Sequence, residues 1–134
     1  MRVIVDTSVW SLAFRRKKSA DAPEVAALQH LIEEGLVVLI GPVRQEVLSG
    51  IRHPEQFERL RERLASFPDL GLTSKDFELA AELCNQCMSQ GVQAAHTDFL
   101  IAAAAIARDF AVLTTDKDFK HIAQIVPVRA YELR

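Results

Sequence analysis

Four acidic residues stand where carboxylate chemistry becomes possible. Asp6 closes the apolar run Val3–Val5 and opens the segment DTS. Glu46 follows a second apolar run, LVVLI, by a few residues. Asp98 lies in HTDFLIAAAA, and Asp116 lies in TTDKDF with Asp118 close behind. Carboxylates are hard oxygen donors suited to hard divalent cations. Two of them about 4 Å apart repel by about 4 kcal/mol at an effective dielectric near 20. A group gathered at one place must be protonated, spread apart or neutralised by a cation. No His or Cys pattern offers metal-ligand spacing, so such a cation would be Mg2+ or Mn2+ rather than Zn2+.

Taken singly, each acid has a plainer reading. Asp6 can cap a helix after a strand. Asp98 can complement a helix dipole in its first turn. Glu46 sits on the flank of an apolar helix face and can be solvated. Asp116 and Asp118 can shape the turn after a strand. The plain readings weaken only if the acids meet, and that depends on the elements carrying them.

Val3–Val5, Leu36 to Ile40 and Ala111 to Thr114 are short apolar runs, the pattern of strands covered on both faces. Brief strands are also predicted near Leu70 to Leu72 and at Ile125 to Val128. Between them the spacing predicts helices. The first carries Val9, Trp10 and Leu12, with Thr7 or Ser8 as cap. The second runs from Pro23 to Gly35. The third starts at Gly41-Pro42 and carries Val43, Val47 and Ile51. The fourth starts at Pro54, with Phe57, Leu60, Leu64 and Phe67 inward and a mixed-charge face, Glu58 to Arg63, in solvent. The fifth runs from Ser74 to about Gln90, with Phe77 as its first core residue. The sixth, Thr97 to Arg108, is apolar almost all round and should be buried. A short seventh covers Asp118 to Ala123. Strands alternating with helices predict an α/β sandwich with a mainly parallel sheet. In such a sheet, ligands bind beyond the carboxyl ends of the strands. Asp6 and Asp116 follow strands directly. Glu46 lies in the first turns of a helix leaving a strand. Asp98 begins a helix running antiparallel to the strands, so it starts at the same edge. Four acids thus converge on one edge by topology alone.

The 134 residues, 49% apolar and 25% charged, exclude disorder as the main state and predict a single domain over 1–134. A net charge of −2 excludes a global field that attracts nucleic acid or membrane. Any such attraction falls to local basic groups. These are Arg15, Arg16, Lys17 and Lys18 in one run, and Lys117 and Lys120 beside Asp116. The first apolar stretch is too short for a signal peptide or a membrane span. Cys84 and Cys87 are too few for a disulfide framework and fall inside a helix, where they read as core. The expected compartment is the cytoplasm.

The set VIVDTSVW, a mid-chain Glu46, HTDFLIAAAA and TTDKDF, in this order, resembles the PIN domain. Length and spacing are similar to the VapC-type toxin ribonucleases of toxin–antitoxin pairs, and the resemblance covers essentially the whole chain. It implies a three-layer α/β/α sandwich with a mainly parallel sheet. It implies a site for one or two Mg2+ or Mn2+ ions on Asp6, Glu46, Asp98 and Asp116, supported by Thr7, Ser8, Thr114 and Asp118. The implied activity is endoribonuclease hydrolysis of RNA, leaving 5′-phosphate and 3′-hydroxyl ends. The implied partners are a small antitoxin, whose tail can present an Arg to the carboxylates, and a second copy in a homodimer. Two rival readings are an RNA-processing nuclease without a toxin role and an Asp-phosphoacceptor signalling domain or phosphatase. The second is disfavoured because Ser8 stands where such a phosphatase needs another acid.

Overall fold

The structure, a computed structural model, describes residues 1–14 and 22–133. Its four strands are β1 Val3–Val5, β2 Val37–Val38, β3 Ala111–Leu113 and β4 Arg129–Ala130. They pair in the order β2-β1-β3-β4, and every pairing is parallel. Helices α1 Thr7–Ala13 and α2 Pro23–Glu33 join β1 to β2. Helices α3 Gly41–Leu48, α4 Pro54–Leu64, α5 Ser74–Ser89 and α6 His96–Arg108 lie between β2 and β3, and α7 Lys117–Ile125 precedes β4. The chain moves from β1 to β2 in one direction across the sheet, then past β1 to β3 and β4 in the other. Right-handed crossovers therefore place α1 and α2 on one face and α6 and α7 on the opposite face. The sheet is sandwiched, as an α/β fold requires of a parallel sheet.

Local chemistry explains the boundaries. Pro occupies the first or second position of α2, α3 and α4, where its missing N–H costs nothing. Gly35 ends α2 at φ +71°, and the Leu36 N–H reaches back to the Leu31 carbonyl at 3.0 Å. That closure turns the chain into β2. At the end of α6, Asp109 takes the left-handed conformation at φ 59°, and Arg129 from β4 donates to its carboxylate at 2.6 Å.

Several expectations shift. The segment Leu70–Leu72 is no strand: between Pro68 and Gly71 it makes one backbone bridge, Leu39 with Asp69, and one bond, Leu70 N–H to the Leu39 carbonyl. The last strand is Arg129–Ala130, because Ile125 stays in α7. Ile51 and Phe67 lie past the ends of their helices and pack from loops. Thr73, not Ser74, caps α5, its N–H and hydroxyl both bonding Asp76. Phe77 is 54% exposed. The buried stripe of α5 runs through Asp76, Ala80, Leu83 and Cys87 instead. Arg15, Arg16, Lys17 and Lys18 lie outside the described residues. Among the described residues no helix is long and apolar enough to cross a membrane.

The sheet core is Val3, Ile4, Val5, Val112 and Leu113, all essentially inaccessible. Against it lies α6, whose Ala102 to Ala105 have no exposure at all. Small side chains there let the helix approach the sheet closely. This anchors the first turn of α6, which carries Asp98.

Candidate metal centre

The strand order reverses between β1 and β3, the switch point at which open parallel sheets form a crevice. Asp6 leaves β1 there, its N–H bonded to the Leu113 carbonyl at 2.9 Å. Asp116 is the third residue after β3 and caps α7, accepting the Asp118 N–H at 2.9 Å. Asp98 sits in the first turn of α6, accepting the Ala95 N–H at 3.1 Å. The three acids each offer a carboxylate oxygen, and these atoms lie within 4.8 Å of one another.

Two hydroxyls knit the strand ends together. Thr114 Oγ1 donates to Asp6 Oδ2 at 2.7 Å and accepts the Asp116 N–H at 3.0 Å. Ser8 Oγ donates to the same Asp6 oxygen at 2.8 Å and accepts the Thr115 N–H at 3.1 Å. Ser8 therefore serves the carboxylate rather than capping α1. Each carboxylate uses one oxygen in these bonds. The second oxygen of each has no protein donor among the described residues.

Asp6 and Asp98 are buried, at 7% and 8% exposure. None of the three acids is in an ion pair among the described residues. Burial pushes the Asp98 carboxyl up to about 6; the Ala95 N–H opposes this, and the charges of Asp6, Asp116 and Asp118 add to it. Mutually repelling carboxylates, two of the three buried and none in an ion pair among the described residues, fit a hard divalent ion.

The remaining candidates lie around this trio. Glu46 is exposed on α3 and outside the trio, accepting the Thr7 hydroxyl at 3.0 Å. Thr7 follows Asp6, so Glu46 is tied to the same edge through it. Asp118, Lys117 and Lys120 are exposed on α7. Sequence reasoning missed an ion pair at the other end of α6, ten residues and about 15 Å along the helix from Asp98. Arg108 at the end of α6 holds both oxygens of the buried Asp76 of α5, at 2.8 and 2.9 Å. Thr73 three residues before Asp76 is a capping-box spacing, the one local signal that Asp76 has a fixed place.

An open parallel sheet with an all-oxygen acidic cluster at its switch point defines the class: an α/β protein with a candidate divalent-cation site. The PIN-domain family model matches residues 3–125, and the chain belongs to the PIN-domain family. Among curated proteins no sequence matches significantly. Among solved structures, FitAcB from Neisseria gonorrhoeae is similar with TM-score 0.76 and 23% identity, over 97% of this chain and 96% of that one. VapBC2 from Rickettsia felis, bound to a DNA fragment from their promoter, is similar with TM-score 0.75 and 19% identity over the whole of both chains. FitAB bound to an IR36 DNA fragment gives TM-score 0.75 and 22% identity, over 96% of this chain and 93% of that one. At these identities the likeness is one of fold.

Proposed function

We propose that this chain, as one PIN domain over residues 1–134, is a Mg2+-dependent endoribonuclease and the toxin of a toxin–antitoxin pair. The observation that carries the reading is the meeting of Asp6, Asp98 and Asp116 oxygens within 4.8 Å. These residues would hold one or two ions, with Glu46 as a further acid on the Thr7 side. Bound there, a divalent ion supplies an activated water and positive charge for the phosphate being cleaved. Ser8 and Thr114 fix the Asp6 carboxylate, so its outer oxygen needs no rearrangement to bind. Asp118 adds negative charge at the rim, and Lys117 and Lys120 stand on the same helix to meet phosphates. Nothing in this arrangement uses the RNA 2′-hydroxyl, so the products carry 5′-phosphate and 3′-hydroxyl ends. Partners are supported by the neighbours named FitAB and VapBC2, both bound to DNA. On this reading the chain pairs with a small antitoxin, forms a homodimer and works in the cytoplasm.

The test is cleavage of RNA with Mg2+, with and without EDTA, followed by analysis of the product ends. EDTA should stop the reaction. Cyclic phosphate ends, or cleavage indifferent to EDTA, would sink the reading. A finer check is Thr114→Val, which removes the hydroxyl between Asp6 and Asp116. Mn2+ affinity, measured by calorimetry, should fall about 10–100-fold. Unchanged affinity would mean the hydroxyl does not orient the acids.

A further inference from the structure

The mixed-charge face of α4 does not simply dissolve into solvent. Arg59 and Arg63, one turn apart, line a cleft of about 330 Å3 with Gln56, Leu60, Ile51 and the aromatic ring of Phe14. Glu58, on the same helix, is held by Arg61 at 2.6 Å. Neither Arg59 nor Arg63 is in an ion pair among the described residues. Phe14 is 37% exposed and is held from behind. It stacks on Trp10 at 6.1 Å with an interplanar angle of 14°, and Trp10 is pinned edge-on by Phe67 at 5.3 Å. A fixed aromatic surface beside two guanidinium groups has the two elements of single-strand binding, a stacking platform and phosphate donors. Phe14 follows Asp6 by the length of α1, about 12 Å along the helix, so the cleft lies within a few nucleotides of the acids.

We propose that this cleft is an RNA subsite: Arg59 and Arg63 hold a backbone phosphate and the Phe14 ring takes a base. The proposal rests on the ribonuclease reading and deepens it. The subsite supplies the positive charge that the net −2 of the chain does not supply globally.

The probe is a fluorescein-labelled single-stranded RNA of about 12 nucleotides. It is bound to the full chain carrying Asp98→Asn to prevent turnover. Adding Arg59→Gln and Arg63→Gln should weaken binding about 10-fold or more at low salt. It should also make the log–log salt dependence shallower by about 0.7, the value for one phosphate contact on a single strand. Phe14→Leu should weaken binding about 5–10-fold and leave the salt slope unchanged. Lys75→Gln removes one charge from the exposed start of α5 and should change affinity less than twofold. Arg59→Lys with Arg63→Lys keeps the charge and should restore the salt slope, which separates charge loss from misfolding. An arginine-to-glutamine pair no weaker than Lys75→Gln overturns the subsite. So does retained RNA affinity with lost binding of a co-expressed small protein, which assigns the cleft to a protein partner. In either case RNA cleavage by the wild-type chain with Mg2+ leaves the ribonuclease reading standing. A wild-type chain that neither cuts nor binds RNA overturns both.

Discussion

Asp98→Asn is expected to reduce Mg2+-dependent RNA cleavage by about 10³-fold while making the metal-free protein more stable. The two effects share one cause. Three carboxylates meet with no ion-pair partner among the described residues, and burial pushes the Asp98 carboxyl up to about 6. A carboxyl raised above its unfolded value of 3.8 binds its proton in the folded state first. Its charged form therefore destabilises the fold above about pH 6, and stability rises as pH falls from 6 toward 4. That penalty is on the order of 2–3 kcal/mol. Asn keeps an oxygen for the Ala95 N–H and removes the charge. In EDTA its melting temperature at pH 7.5 should exceed that of the wild type, and the gap should close toward pH 4.5. With Mg2+ the wild type should gain stability and the variant should gain little. On the proposed ribonuclease reading, the loss of rate would follow from removing a charged ligand for an ion that stabilises the reacting phosphate. Unaltered cleavage, or a variant less stable than wild type in EDTA, would refute the assignment of Asp98.

Arg108→Met is expected to destabilise the fold by about 3–5 kcal/mol, because it strands a charge. Asp76 is 3% exposed, and the Arg108 guanidinium meets both of its oxygens. That fork, with the Thr73 N–H, holds the Asp76 carboxyl down to about 2 against the upward push of burial. For a domain of this size the melting temperature should drop by about 10–15 °C. Adding Asp76→Asn to Arg108→Met should recover part of the loss, since Asn still bonds Thr73 without an unpaired charge. The sign with pH is opposite to that of Asp98. A depressed carboxyl stabilises the fold above its unfolded value of 3.8, and the contribution is lost as pH falls toward 2. Urea unfolding at pH 6 and pH 3 should show the gap between wild type and Arg108→Met shrinking at the lower pH. An equal gap at both would place the effect in lost packing rather than in the ion pair.

Much of the fold is legible because its signals are local. The runs VIV and AVL are short and apolar, the pattern of strands covered on both faces, and Pro23, Pro42 and Pro54 mark helix starts by removing an N–H that has no partner there. The meeting of acids is legible at one remove: a parallel sheet has one carboxyl edge, and Asp6, Asp98 and Asp116 all lie on it. The strand order β2-β1-β3-β4 is not legible. Its central pairing joins residues more than 100 apart, such as Ile4 with Val112, which no local spacing encodes. The face of α5 misleads for a related reason. Apolar periodicity favours Phe77, but the buried stripe starts at Asp76, a charge that sits inside only because Arg108 arrives from another helix. The support that Ser8 and Thr114 give Asp6 likewise needs the two strand ends in register.

The pairing of β1 with β3 also sets a timetable. Asp6 is made first, but its hydroxyl support from Thr114 and its neighbour Asp116 come from the far end of the chain. During synthesis the leading strand has no β3 to pair with until most of the chain has emerged. A truncated product ending before Ala111 carries Asp6 and Asp98 but lacks Asp116 and the central strand that aligns them. Long-range pairing of this kind is slow to form and all-or-none in effect. The acidic centre is thus withheld from every copy that lacks β3, and a cell making the protein meets a finished site only once Ala111–Leu113 and the Asp116 turn have joined the sheet.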